Sequence, residues 1–453
     1  MPKTTHILCN TTKIIKIGSS IRRYTLPALY DITYPYLMYQ CTIIAMRSIR
    51  VMHVINHFGN GGAERFVSLF SIYSPRYIIN SIVTRWSTIG YKYKGRLIRL
   101  NSNRILDYED SKRLTLGHII RAIILLIYTN IALLRYYLKI RPDFIFVHGI
   151  RRFYYIILLI LLKHPNVIYV RHNYNYFFTR FPKLSNALLR AFTSKVICVS
   201  SGMEKQAIEI LRFKPSQVQV INNGIDVDNI NELSQEAVTD FEFDRTLRYV
   251  VTIGRACKEK GLDHLLRIAN DLRYDTAFSD VRFIILGGSG HGRELLEKHI
   301  EELGLKNHIK LFEFKMNPFK YIKNATVFFL PSESEGFPYS ILEAMACGIP
   351  VVSTDCLTGP REILDNQTDY FHLQTSGFYQ GKYGILTPVM LTVTDLHLPL
   401  SPTEKSNELA LQLVLSDKHL QKNLKIAGKV RVNDFTVTKT IEGYYNFITG
   451  IKS

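Results

Sequence analysis

Residues 327–354 read VFFLPSESEGFPYSILEAMACGIPVVST. An apolar run ends at Pro331, and a second, VVST, begins after Pro350. Between them Pro338 suits the first turn of a helix and Gly348 the position just past its end, so the spacing predicts a helix over about 339–347. Strand, polar loop, helix and strand make a βαβ unit. Because VFFL and PVV show no polar alternation, both strands belong to a parallel sheet covered on its two faces. Ligands of such sheets bind beyond the carboxyl ends of the strands. That is where Glu335 stands, in the loop, eight residues before Glu343 in the helix.

Working outward, the same unit recurs. YVVTIG (249–254), the helical GLDHLLRIANDL, FIILGG, the helical GRELLEKHIEELG and IKLFEF precede the quoted stretch. An earlier series starts with IRVMHVIN (49–56) and the turn FGNGGAER, and continues through DFIFVH, VIYVRH and KVICVS, each apolar and ending in a polar residue. VQVINNGIDVDNI and a polar, acidic stretch to about Thr246 separate the two series. The fold class is therefore α/β, with two Rossmann-like, doubly wound parallel-sheet domains. The expected division is an extension at 1–47, a first domain at 48–225, a linker at 226–246 and a second domain at 247–432. A C-terminal helix at 433–453 is expected to pack back on the first domain. The extension holds one acid, Asp31, and no clear period; it reads as a disordered leader or as sequence upstream of a true start at Met46.

The chemistry sits at the strand ends. Amides near Gly336 and Phe337, at a helix start, favour a phosphate, while a carboxylate there accepts from hydroxyls. Two readings of the acid pair are open: Glu335 and Glu343 grip sugar hydroxyls, or Glu335 caps the helix and Glu343 is solvated. In GRACKEKG (254–261), Arg255 and Lys260 can flank a diphosphate or form a solvated basic loop. Gly59, Gly61 and Gly62, like Gly287 and Gly288, allow close backbone approach, which tight strand–helix turns need even without a ligand. His172, ending YVRH, can serve a sugar hydroxyl or bond to backbone. Asp226 and Asp228 belong to an interdomain turn rather than a metal site.

Composition narrows the class. Of 453 residues, 47% are hydrophobic and 21% charged, a globular balance. The longest apolar run, Phe153–Leu162, has ten residues, half of the ~20 a membrane-spanning helix needs; Ile119–Leu138 is interrupted as an amphipathic helix would be. The six cysteines form no C-x-x-C pair and read as free thiols of a reducing compartment. Net charge is +19, divided unevenly: residues 1–225 hold 32 Lys/Arg and 8 Asp/Glu, residues 226–453 hold 25 and 30. The basic first half expects an anionic partner, but no nucleic-acid reading motif accompanies it.

In this order, GGAER, RH, NGID, GRACKEKG, GGSGHGREL and SESEGFPYSILEAMACGIPVVSTD resemble the retaining glycosyltransferases of family four, over about residues 49–450. The resemblance implies a GT-B architecture, two domains facing across a cleft, with a nucleotide-diphosphate sugar on the second and the acceptor on the first. It implies that His172, Glu335, Arg255 and Lys260 are the catalytic residues. The donor site adds Gly61, Gly62, Gly254, Gly288, Gly336, Phe337, Ser340 and Glu343, the last on the ribose. It implies no cofactor and no metal, with Arg/Lys and a helix dipole stabilising the leaving diphosphate, and retention by front-face attack. Ser289 departs from the family's commoner acid, and residues 366–386 form a longer segment than usual. DCLTGPREIL (355–364) is similar to members that build lipopolysaccharide O-antigen or capsule on polyprenyl-diphosphate carriers. That subgroup, with the basic half and the aromatic runs RRFYY and NYNYFFTRF, implies a cytoplasmic, peripheral enzyme on the inner face of the cytoplasmic membrane.

Overall fold

The computed structural model describes residues 15–17, 20–22, 48–85, 89–100, 116–149, 163–173, 186–187, 189–191, 193–288, 290, 292–365, 373–390 and 395–452. Residues 1–48 and 49–453 form separate units. In the first, β1 (Ile15–Ile17) pairs with β2 (Ser20–Arg22) antiparallel. The remainder of the expected extension, RRFYY, all but the first residue of NYNYFFTRF, Ser289 and part of the 366–386 segment lie outside the described residues.

The second unit holds two seven-stranded sheets. The first is built from β3 (Ile49–Ile55), β4 (Ile78–Thr84), β5 (Arg96–Arg99), β6 (Phe144–His148), β7 (Val167–Arg171), β8 (Lys195–Cys198) and β9 (Val218–Val220). Its order is β5-β4-β3-β6-β7-β8-β9, parallel throughout. The second comprises β10 (Arg248–Ile253), β11 (Val281–Leu286), β12 (Ile309–Leu311), β13 (Val327–Leu330), β14 (Val351–Thr354), β15 (Tyr379–Gln380) and β16 (Ile385–Thr387). Here the order is β12-β11-β10-β13-β14-β16-β15, parallel except for the edge pair β15–β16. Each sheet winds outward both ways from its first strand, the doubly wound order whose crevice lies at the reversal point.

Period two in β13 shows why VFFL carries no polar residue. Phe328 and Leu330 face one apolar core, shared with the first domain, and Val327 and Phe329 face another that includes Val352 and Leu411. The helix Tyr339–Ala346 follows, and Gly348, at φ +72°, ends it in the left-handed region that favours glycine. β4 and β5 are strands the apolar-run reading passes over. Asn80 and Ser81 interrupt β4 with buried polar side chains, and β5 is an edge strand with two exposed arginines.

The chain crosses between the domains at two places, and they touch. Ile225 N donates to Phe435 O (2.9 Å) and Val437 N to Ile225 O (2.8 Å). The helix Val437–Lys452 then lies on the first domain, where the ring of Tyr444 is 4.9 Å from Phe66, 5.4 Å from Phe70 and 5.6 Å from Phe146. The expected linker holds a helix, Val227–Ser234, whose first turn Asp226 caps by accepting from Asn229 N (3.1 Å). Asn317 Nδ2 donates to Leu233 O and Lys320 Nζ to Ala237 O, which fixes this segment to the second domain.

Gly224 marks the crossing. A Cβ there would lie 2.2 Å from Thr436 O and 2.4 Å from Thr440 Oγ1. Gly224→Ala is expected to lower unfolding free energy by about 1–3 kcal/mol, the usual cost of overpacking, read by urea denaturation against wild type.

Candidate active site

The polar residues that end the strands converge on the cleft. In the second domain, the 3₁₀ turn Lys258–Lys260 follows β10 and is closed by Gly261 at φ +60°, where a Cβ would meet Pro331 O at 2.1 Å. This turn brings Lys260 Nζ to 2.5 Å from Glu335 Oε1, which also accepts from Ser332 Oγ at 2.7 Å. The stem of Lys260 packs over Gly254, at 3.3–3.4 Å from the place of its missing Cβ. Thr358 Oγ1 donates to the backbone carbonyl of Glu335. Arg255 is exposed and forms no ion pair among the described residues. The cationic pair thus divides into one residue held on a carboxylate and one available to solvent.

Across the cleft stands His172, one residue past β7. A Cβ on Gly336 would lie 1.8 Å from His172 O, so only glycine permits this approach of loop to loop. The His172 side chain turns inward: its Nε2 is 2.9 Å from His148 Nδ1, and His148 Nε2 is 3.0 Å from His53 Nδ1. His53 Nε2 lies 3.2 Å from Asn80 Oδ1. Phe66 and Phe70 of the helix Gly62–Tyr73 cover these rings at 5.0–5.5 Å. Burial pushes His53 down to about 4, against the opposing bond to Asn80, and pushes His172 down to about 3. The row is neutral at physiological pH.

Glu343 is neither solvated nor free. It is 3% exposed and pairs with Arg65 Nη1 of the first domain, the last residue of GGAER. Arg65 also stands over the rings of Tyr339 (5.3 Å), Phe319 (5.7 Å) and Tyr91 (6.0 Å). Burial raises the Glu343 carboxyl against the lowering effect of Arg65. Glu335 caps nothing either, for the helix start at Pro338 carries no side-chain cap. Gly62 faces Tyr339 at ordinary contact distance, and a Cβ on Gly61 would crowd Glu64. Gly288 has a packing reason for its size, since a Cβ would lie 2.2 Å from Leu311. Phe337 is buried with its ring 5.2 Å from Phe435, and its carbonyl accepts from Asn223 Nδ2; Ser340 is half-buried in the first helical turn.

Sequence reading missed Arg65, Thr358, Asn80 and His53, and it placed His148 at the carboxyl end of DFIFVH without linking it to His172. It also missed Glu362, which accepts from Ser201 N (2.9 Å) and Asn222 Nδ2 (3.0 Å) of the first domain. A signal for the inner row existed: polar residues at one-face spacing inside otherwise apolar strands.

Comparison with known proteins bears on this arrangement. Residues 106–229 match the model of Glycosyltransferase Family 4, and residues 234–376 that of Glycosyl transferases group 1. An uncharacterised glycosyltransferase of Methanocaldococcus jannaschii is 31% identical over 264 residues, covering 56% of this chain and 63% of that protein. The N-acetylgalactosamine-N,N'-diacetylbacillosaminyl-diphospho-undecaprenol 4-alpha-N-acetylgalactosaminyltransferase of Campylobacter jejuni is 27% identical over 286 residues, covering 63% and 67%. The chain spans about two thirds of the length of these curated relatives. The crystal structure of a glycosyltransferase from Rickettsia africae superposes with a TM-score of 0.64 at 16% identity, covering 90% of this chain and all of that one.

Two expectations follow from the geometry. Arg65→Ala leaves Glu343 buried without its cation and should cost about 3–5 kcal/mol, whereas Arg65→Met with Glu343→Leu should recover much of it; denaturation of both variants tests this. The buried histidines set a pH slope. With folded values below the unfolded value of about 6.5, their contribution is complete above that pH and is lost as pH falls and the unfolded chain takes up protons. Between pH 6.5 and 4.5 wild type should therefore lose stability more steeply than His53→Leu, as read by calorimetry.

Proposed function

We propose that this chain, which carries the two glycosyltransferase domains of the GT-B fold, moves a sugar from a nucleotide-diphosphate donor to a glycan acceptor with retention of configuration. The observation that carries the reading is the Lys260–Glu335 pair, 2.5 Å apart at the strand ends and one residue from the close contact of Gly336 with His172. A diphosphate entering there draws Lys260 and the exposed Arg255, and the uncapped N-terminus of Tyr339–Ala346 adds N–H donors of the same sign. Glu335, released from Lys260, accepts from hydroxyls of the donor sugar. The acceptor hydroxyl attacks the anomeric carbon from the face the diphosphate leaves; the new C–O bond forms as the old one breaks, and the departing phosphate oxygen takes the proton. The two cations and the helix dipole stabilise the leaving diphosphate, so the reaction needs no divalent metal.

The acceptor is a polyprenyl-diphosphate-linked glycan of surface-polysaccharide synthesis, reached at the cytoplasmic face of the membrane. Two things support this: the Campylobacter relative, whose name carries diphospho-undecaprenol, and the excess of 24 positive charges in residues 1–225. Cations near an anionic surface attract it by about 1 kcal/mol each. No helix of the described residues is long and apolar enough to cross a membrane; this reading takes attachment at the surface through the basic half as the mode.

Mass spectrometry of products from a panel of UDP-, GDP- and dTDP-sugars with a polyprenyl-diphosphate glycan is expected to show transfer that survives EDTA. Lys260→Ala and Glu335→Gln should each lower kcat/KM by about a hundredfold or more with an unchanged circular-dichroism spectrum. Wild-type rates in either variant contradict the assigned roles. Transfer to soluble glycans alone, with no binding to anionic vesicles, contradicts the lipid-linked acceptor.

A further inference from the structure

We infer that Asn80, His53 and His148 are positioning residues that lock His172 in its Nε2–H tautomer, so that His172 Nδ1 presents a bare lone pair to a sugar hydroxyl in the cleft. The inference rests on the transferase reading for its ligand, but its structural content stands on the first sheet alone.

The row is a product of strand register. In β3 and β4, Val51 is opposite Asn80, and His53 is two residues further along the same face. Phe146 of β6 is opposite His53, and His148 is again two residues on. Val170 of β7 is opposite His148, and His172 follows by two. Each step of two keeps the side chain on one face while advancing toward the carboxyl ends. Four polar residues therefore run diagonally from the interior of the sheet to the lip of the cleft.

Direction follows from chemistry. The Asn80 oxygen facing His53 Nε2 can only accept, so that nitrogen carries the proton and His53 Nδ1 is left as an acceptor. His148 Nε2 then donates to His53 Nδ1, and His172 Nε2 donates to His148 Nδ1. Each ring is neutral and has one proton, already committed, so His172 Nδ1 has none. That atom is buried and has no partner among the described residues. A second argument gives the same direction. Turning the Asn80 amide over would reverse every bond and leave a buried N–H on His172 Nδ1 unpaired, and orphaned buried donors are rarer than orphaned acceptors.

The consequence is a selection rule at His172. A bare Nδ1 accepts from an O–H and repels the lone pairs of phosphate or carbonyl oxygens. The His172 side chain thus serves a hydroxyl of donor or acceptor sugar, and the diphosphate is left to Lys260 and Arg255. Asn80, which touches no substrate, sets this polarity from the far end of the row.

The test uses full-length protein labelled with nitrogen-15 at histidine. Long-range proton–nitrogen spectra at pH 7.5 are expected to show His53, His148 and His172 each with a protonated Nε2 and an unprotonated Nδ1, assigned through single His→Gln variants. In Asn80→Leu, which removes the terminal acceptor, His172 should become a mixture of tautomers. For transfer with the donor found by the panel, kcat should fall about tenfold, the worth of one hydrogen bond, while Kd for the nucleotide diphosphate product is unchanged. A protonated Nδ1 on wild-type His172, or a His172 tautomer indifferent to Asn80→Leu, overturns the inference. If Asn80→Leu fails to fold, the wild-type spectrum still decides it. Because that spectrum needs no turnover, these results leave the transferase reading standing, and absence of transfer with the expected tautomers overturns that reading instead.

Discussion

A carboxylate sealed among apolar side chains has to be answered by a cation, and Glu343 is answered from the opposite domain. Arg65 and Glu343 lie far apart in sequence, on the first helix of one sheet and the fourth strand–helix unit of the other. Neither domain can bury its own half of the pair alone without a large desolvation cost. Glu362 repeats the device: its carboxylate reaches Ser201 N at the start of the helix Ser201–Glu209, where an anion suits the helix dipole. Closure of the cleft is therefore specified by charge matching as well as by the core that runs from Phe146 through Phe66 to Phe337.

The same logic governs the centre formed by Lys260 and Glu335. Lys260 and Glu335 satisfy each other at 2.5 Å, and Ser332 supplies a further donor to the carboxylate. A ligand that carried only negative charge would free Lys260 and strand Glu335; one that carried only hydroxyls would do the opposite. A molecule with both, anionic at one end and polyhydroxylic at the other, replaces both halves of the pair at once. Discrimination arises from the exchange, because partial ligands leave a half-buried charge unpartnered.

Much of this architecture is legible from local chemistry. The strands β10, β11 and β13 and the helix after Pro338 announce themselves by uninterrupted apolar runs and by Pro and Gly at the right offsets. The strand-end positions of His172, Lys260 and Glu335 follow from the parallel sheet itself. What escapes sequence reading is long-range or two-sided. β4 is hidden because Asn80 and Ser81 break its apolar pattern for the sake of interior bonds. Glu343 reads as a sugar-hydroxyl acceptor or as a solvated helix acid until Arg65 is brought beside it. Gly288 looks like a ligand-facing glycine, but Leu311, from the next strand, also requires its small size. The segment 226–246 reads as a linker by polarity, whereas Asp226 caps a helix in it that docks on residues 317–323.

The helix Val437–Lys452 gives the molecule a peculiar order of assembly. It covers Phe66, Phe70 and Phe146, the apolar roof above the histidine row, yet it is synthesised after the whole second domain. As the chain emerges from a ribosome, the first sheet can form early but its apolar roof stays exposed until residues 437–452 arrive. The domain that begins first is the last to be completed, and a chain halted anywhere before residue 437 presents a sticky, unfinished face for chaperones and proteases to recognise.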